Sequence, residues 1–196
     1  MGIGKFCPTV GDRMFKRSDH VIYPGHGVAV VEDIIDKVVA STTISFLKLT
    51  FLFKDMTILV PVYNVTAIGL RYPSTQQEVE MVLNELAKQP QKKLESVDLT
   101  PSGWNRRHKD YQIKLQNGGL LELSRIYRDL MHIAQQKDLS FGERTILQTI
   151  EDLLAQEIQI VAAQDREVVL QWLRMPFKQF IFHDRSFLHQ EVSHTV

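Results

Sequence analysis

The sequence predicts an α+β chain in two subdomains, a small, strongly bent β-sheet or barrel followed by a compact bundle of about five helices. Three observations carry this reading. The first third is strand-like, with a clear period-2 alternation around Leu47 to Phe53, the period becomes helical at Tyr72-Pro73, and two capping boxes open helices beyond that point. Strands first and helices second imply two packed units rather than an interleaved sheet. The 196 residues suffice for one domain or two small ones, and 44% apolar against 23% charged residues is an ordinary globular balance.

In chain order, His20-Val21-Ile22-Tyr23 reads as a strand running into the turn Pro24-Gly25-His26-Gly27. Val28 to Ile35 is rich in β-branched residues. Leu47, Leu49, Phe51 and Phe53 alternate with Lys48, Thr50 and Leu52, as in a strand buried on one face. Lys54-Asp55 is a tight turn, Met56 to Val62 another strand, and Val65 to Leu70 a short closing one. The joint falls near residues 70–74. Ser74 and Thr75 then cap a helix carrying Val79, Val82, Leu83 and Leu86, which Pro90 ends, and Gln91 to Pro101 is a polar loop. A second helix runs from near Ser102-Gly103 to Gln116, with Trp104, His108, Tyr111 and Leu115 on one stripe. A third carries Leu120, Leu123, Tyr127, Leu130 and Ala134. Ser140-Phe141-Gly142-Glu143 opens a fourth, with Leu147, Ile150, Leu154, Ile158 and Val161 as its buried face, and a fifth spans about Gln164 to Arg174. The organisation is therefore a sheet up to residue 72, helices over 73–175, and a tail over 176–196 of unassigned role.

Most function classes find no support. No apolar run reaches the ~18 residues of a membrane span. Met1 to Arg13 lacks the apolar stretch of an export signal, and the single Cys7 fits a reducing cytoplasm. Gly25-His26-Gly27 lacks the third glycine and the helix of a dinucleotide loop. The tail histidines His183, His189 and His194 are spaced by six and five residues, unsuited to a metal site, so no metal or other cofactor is expected. Ser124, Ser140 and Ser186 lie in no nucleophile-elbow context, and Glu151-Asp152 diverge on a helix. Neither catalysis nor a small-molecule substrate is expected.

The formal net charge is zero, yet residues 101–128 carry +4 and residues 129–174 carry −4. Such an asymmetry marks either a solvated helix face or a nucleic-acid surface. The basic block contains Trp104-Asn105-Arg106-Arg107-His108-Lys109, with Lys114 further along. Arg and Lys neutralise phosphates, and an indole at a helix entrance can stack on a base or wedge against a base step. The opposing reading makes Trp104 the first core residue of its helix. The flanking Gly103 and Asn105 tip the balance slightly toward exposure.

Taken in order, Phe15-Lys16, Asp19-His20-Val21-Ile22-Tyr23-Pro24, Gly25-His26-Gly27-Val28, Met56-Thr57-Ile58-Leu59-Val60-Pro61 and Gly69-Leu70-Arg71 resemble the CarD/CdnL-type bacterial transcription regulators. So do Gly103-Trp104-Asn105-Arg106-Arg107, Arg128-Asp129-Leu130 and Leu139-Ser140-Phe141-Gly142-Glu143-Arg144, and the resemblance spans about Met14 to Val161. It implies a Tudor/SH3-like N-terminal domain over 14–72, after an N-terminal extension over 1–13, that binds the RNA polymerase β subunit. It also implies a helical domain that contacts promoter DNA in the minor groove at the upstream edge of the bubble and stabilises the open complex. The implied factor is cytoplasmic, nucleoid-associated through polymerase, not an enzyme and without a membrane. Trp104 matches the wedge residue of that family, and Arg106, Arg107 and Lys109 match the basic residues beside it. Lys37, Leu59 and Pro61 match polymerase-contacting positions. If Ile58 and Val60 are core, Leu59 is left outward on a strand that Pro61 marks as an edge. Leu59 stands where some relatives carry Arg, and Ala29 replaces a frequent glycine. The alternative is a protein-interaction adaptor of the transcription machinery with no direct DNA contact.

Overall fold

The computed structural model describes residues 15–88 and 101–178. Its first unit is a curled antiparallel sheet of four strands in chain order: β1 His20–Tyr23, β2 Gly27–Val39, β3 Thr42–Phe51 and β4 Thr57–Pro61. Leu47, Leu49 and Phe51 of β3 face inward, with Val21, Ala29, Val31, Val60 and Phe15 closing a small core. The alternation expected of β3 is therefore present, although the strand ends at Phe51, and Leu52 and Phe53 are exposed. A bulge between Val31 and Asp33 interrupts the β2–β3 pairing, which locally increases strand bend and twist. Beyond it β2 runs to Val39 rather than Ile35, because the strands turn at Ala40-Ser41, whose φ values are +47° and +64°. Two positive-φ residues match the twist of a tight hairpin, but Asn-Gly is the usual sequence.

Val65 to Leu70, expected as a closing strand, folds differently. A 3₁₀ turn over Val62–Asn64 leads into the short helix α1, Val65–Ile68, and Gly69 ends it in the left-handed conformation at φ +78°. The helix still directs Val65 into the sheet core, and Leu70 follows it there, so burial of the apolar side chains does not require a strand. Only Arg71 pairs back, bridging Ile22 of β1.

The helical unit contains α2 Gln76–Leu86, α3 Pro101–Asn117, α4 Leu120–Ala134, α5 Phe141–Ala162 and α6 Arg166–Arg174. Thr75 and Ser140 cap α2 and α5, each closing a reciprocal box with a glutamate, Glu78 and Glu143. α3 starts at Pro101 rather than at Ser102-Gly103, since proline at the first helical position loses no intrahelical bond. Most residues of the expected stripes are buried; Leu83, Trp104, His108 and Val161 are half-buried, and Ala134 at the end of α4 is exposed. Phe177, beyond α6, packs edge-on against Tyr127 and His132. Residues 1–14, the 89–100 stretch that includes most of the expected polar loop, and the tail from 179 with its histidines and remaining phenylalanines lie outside the described residues. α2 and α4 are joined by a charged lock. Arg128, 1% exposed, donates from Nη1 to Glu85 Oε1 at 2.8 Å and from Nη2 to Asp129 Oδ1 at 3.0 Å.

A second polar lock joins the two units. Glu157 of α5 accepts from Arg71 Nη1 and Nη2 at 2.7 and 2.8 Å, and from the Ser74 N–H and hydroxyl at 2.9 and 2.7 Å. One residue earlier, the Gln156 amide oxygen accepts from the Val28 N–H at 3.2 Å. A side chain on Gly27 would overlap that amide, and the φ of +103° there independently favours glycine. These buried contacts fix the sheet against α5 and thereby set the angle between the surfaces that each unit presents.

Candidate nucleic-acid and protein interfaces

α3 advances about 100° per residue, which separates the residues of the basic block. Trp104, Tyr111 and Leu115 take the side that packs on the bundle, while Arg106, Lys109 and Ile113 are exposed on the other. Arg106 and Lys109 thus lie roughly 140–160° around the helix from Trp104. The indole is half-buried. Its ring sits 5.1 Å from His108 and 6.4 Å from Tyr111 between centroids. A Cβ on Gly142 of α5 would lie 3.0 Å from Trp104 Cζ2, so any larger residue there would require the indole to give by a few tenths of an ångström. Trp104 is thus neither a sealed core residue nor a loose one. It is a plate braced on the fold with part of its surface left open.

Arg107 is on the Trp104 side of the helix, and its Nη2 lies 3.4 Å from Glu143 Oε1. Glu143 also takes the Lys137 ammonium at 2.9 Å and both the N–H and hydroxyl of Ser140 at 2.9 Å. Burial alone would raise its pKa, but the Lys137 and Ser140 hydrogen bonds outweigh this and hold the carboxyl below its ordinary range. Burial pushes the Tyr111 hydroxyl up to about 12, so it is neutral at physiological pH. Lys114 pairs with Asp110 at 2.9 Å. Of the five DNA-contact candidates, then, Trp104 and Arg107 are brought together, Arg106 and Lys109 form an outward pair, and Lys114 is held along the helix.

The start of α5 adds two residues that sequence reasoning passed over. Phe141 is 82% exposed, and Arg144 is exposed one turn on. The helical period anchored on Ile146, Leu147 and Ile150 already turns Phe141 away from the core, so the signal was present.

The sheet offers a second surface. Register pairs Lys37 with Ile44, Pro61 with Phe46 and Leu59 with Lys48. Side chains alternate along β3, so Lys37, Leu59 and Pro61 share the face opposite the core. Half-buried Ile44 and Phe46 make that face partly apolar, and Leu59 is 39% exposed on it. Val60 points the other way, into the core, with Ile58 packed against it. β4 is an edge strand with one side unpaired within the sheet.

Residues 15–72 match the family described as CarD-like/TRCF RID domain, and residues 82–174 match CarD, C-terminal domain, together about three quarters of the chain. The chain belongs to the CarD-type family. It is 23% identical over 148 residues, 76% of this chain and 92% of the relative, to the Bacillus subtilis (strain 168) protein named "Putative transcription factor YdeB". CarD-type chains are transcription factors rather than enzymes, and this one is accordingly a transcription-related, RNA polymerase-interacting factor. Among the described residues no helix is long and apolar enough to cross a membrane.

Proposed function

We propose that this CarD-type chain binds the polymerase β subunit through the outer sheet face around Lys37, Leu59 and Pro61, and steadies the open promoter complex with Trp104. The observation that carries the reading is the braced, half-open indole at the start of α3. A rigid plate loses little entropy on inserting beside a base step. Opening that step costs a few kcal/mol, which stacking partly offsets. The plate fits only distorted DNA, so its binding free energy favours the open state and shifts the equilibrium toward it. Exposed Arg106 and Lys109 supply two phosphate contacts, for a salt slope of about −2 at ~0.9 per contact. Binding that shallow is weak alone, and tethering to polymerase raises the effective DNA concentration. On the sheet, the open edge of β4 suits addition of a partner strand, with apolar Leu59 contacting it.

The lifetime of open complexes after competitor challenge tests this. Wild-type protein lengthens it, Trp104→Ala loses most of the effect while still binding β, and Leu59→Glu loses β binding. An unchanged lifetime with Trp104→Ala overturns the wedge role. The adaptor reading draws on the engagement of Arg107 by Glu143 and Lys114 by Asp110. It predicts that Trp104→Ala acts through stability alone.

A further inference from the structure

Building on that reading, we propose that Phe141 is a second aromatic contact to the nucleic acid, stacking on a base or sugar beside the one that Trp104 meets. Lone exposed apolar residues are common and mean little. Four features set this one apart. Phe141 is 82% exposed, more than any other large hydrophobic residue among those described. Its backbone is rigid: Ser140 and Glu143 close the capping box around it, and the Thr145 hydroxyl donates to its carbonyl at 2.9 Å. The next residue, Gly142, lies directly against the Trp104 ring, so the chain at Phe141 runs beside the wedge.

The fourth feature is charge. The only acid of this turn, Glu143, is buried and matched by Lys137 and Arg107. Arg144 is exposed one turn after Phe141, and the nearest exposed acid in the chain, Asp138, lies before the capping box. An exposed aromatic ring next to an exposed cation, with the local carboxylate neutralised, complements a phosphate-bearing strand better than an apolar protein surface. A flat ring is also sequence-tolerant, because every base offers a π-face.

The test compares full-length wild type, Phe141→Ala, Phe141→Leu, Phe141→Trp and Trp104→Ala. The readouts are open-complex lifetime, affinity for polymerase without DNA, and thermal unfolding. Because Phe141 is solvent-exposed, its variants fold normally and bind polymerase as wild type does. We expect Phe141→Ala to shorten the lifetime about tenfold, the scale of one stacking contact. Phe141→Trp restores it, and Phe141→Leu, apolar but not flat, does not. A full lifetime with Phe141→Ala alongside a shortened one with Trp104→Ala overturns this inference and leaves the wedge reading standing. Full lifetimes with both overturn the wedge reading itself. Full activity of Phe141→Leu, or a loss of polymerase affinity without DNA, assigns the ring to an apolar protein surface and also overturns the inference.

Discussion

Glu157→Gln is a near-isosteric change that dismantles the joint between the two units. The carboxylate accepts four hydrogen bonds, two from Arg71 and two from Ser74, all between 2.7 and 2.9 Å. An amide has one acceptor oxygen, so its NH₂ must face at least one of those donors, and Arg71 loses its counter-charge. Removing one partner of a buried pair costs about 3–5 kcal/mol. The Glu157 side chain is 4% exposed, but that of Arg71 is 26% exposed and can recruit water. The expected loss is therefore about 2–3 kcal/mol, at or just below the lower limit of that range. At 2–4 °C per kcal/mol for a chain this long, Tm should fall by roughly 5–10 °C. Urea unfolding followed by circular dichroism measures it. A loss below about 0.5 kcal/mol, the scale of an exposed ion pair, would refute the claim that this lock holds the units together.

Three further outcomes follow from particular contacts. Replacing Ala40-Ser41 with Asn-Gly should stabilise the chain by about 1–2 kcal/mol by relieving two left-handed residues, read as a higher urea midpoint. Glu143 has a folded pKa below its ordinary 4.5, so it contributes stability above that pH and loses it as pH falls through the folded value. Acid unfolding should accordingly be steeper in wild type than in Glu143→Gln, and equal slopes would count against the Lys137 and Ser140 contacts. Lowering the cation count with Arg106→Ala or Lys109→Ala should reduce the salt slope of DNA binding by about 1 each, measured on polymerase-tethered complexes. An unchanged slope would remove that residue from the phosphate contacts.

The features legible in the sequence were those with a local period or a local cap. The alternation of Leu47, Leu49 and Phe51 placed β3 correctly, and the same logic turned Leu59 outward and Val60 inward. Thr75 with Glu78 and Ser140 with Glu143 announced two helices, and both boxes close in the structure. Val65 to Leu70 misled because β-branched residues suit a strand by composition, whereas Gly69 and the core decided for a helical turn. Ala40-Ser41 carries no Gly or Asn, so nothing announced the hairpin that extends β2. Arg71 and Glu157 lie 86 positions apart, and no periodicity speaks to a pair at that distance. The same holds for Arg107. Its spacing read as one more cation of the basic block, but the crossing of α3 by the start of α5 brings it to Glu143. For Trp104 the sequence posed two alternatives, exposed or core, and the close approach at Gly142 yields a third, a braced ring.

The central claim is that one rigid chain holds polymerase with its sheet and the edge of the melted DNA with Trp104. A photo-crosslinking phenylalanine analogue at position 104, in the full-length protein bound to polymerase and promoter, tests it most directly. The account predicts crosslinks to DNA at the upstream edge of the bubble, present in open complexes and lost with Leu59→Glu. Crosslinks confined to protein, or DNA crosslinks that persist without polymerase contact, would contradict it.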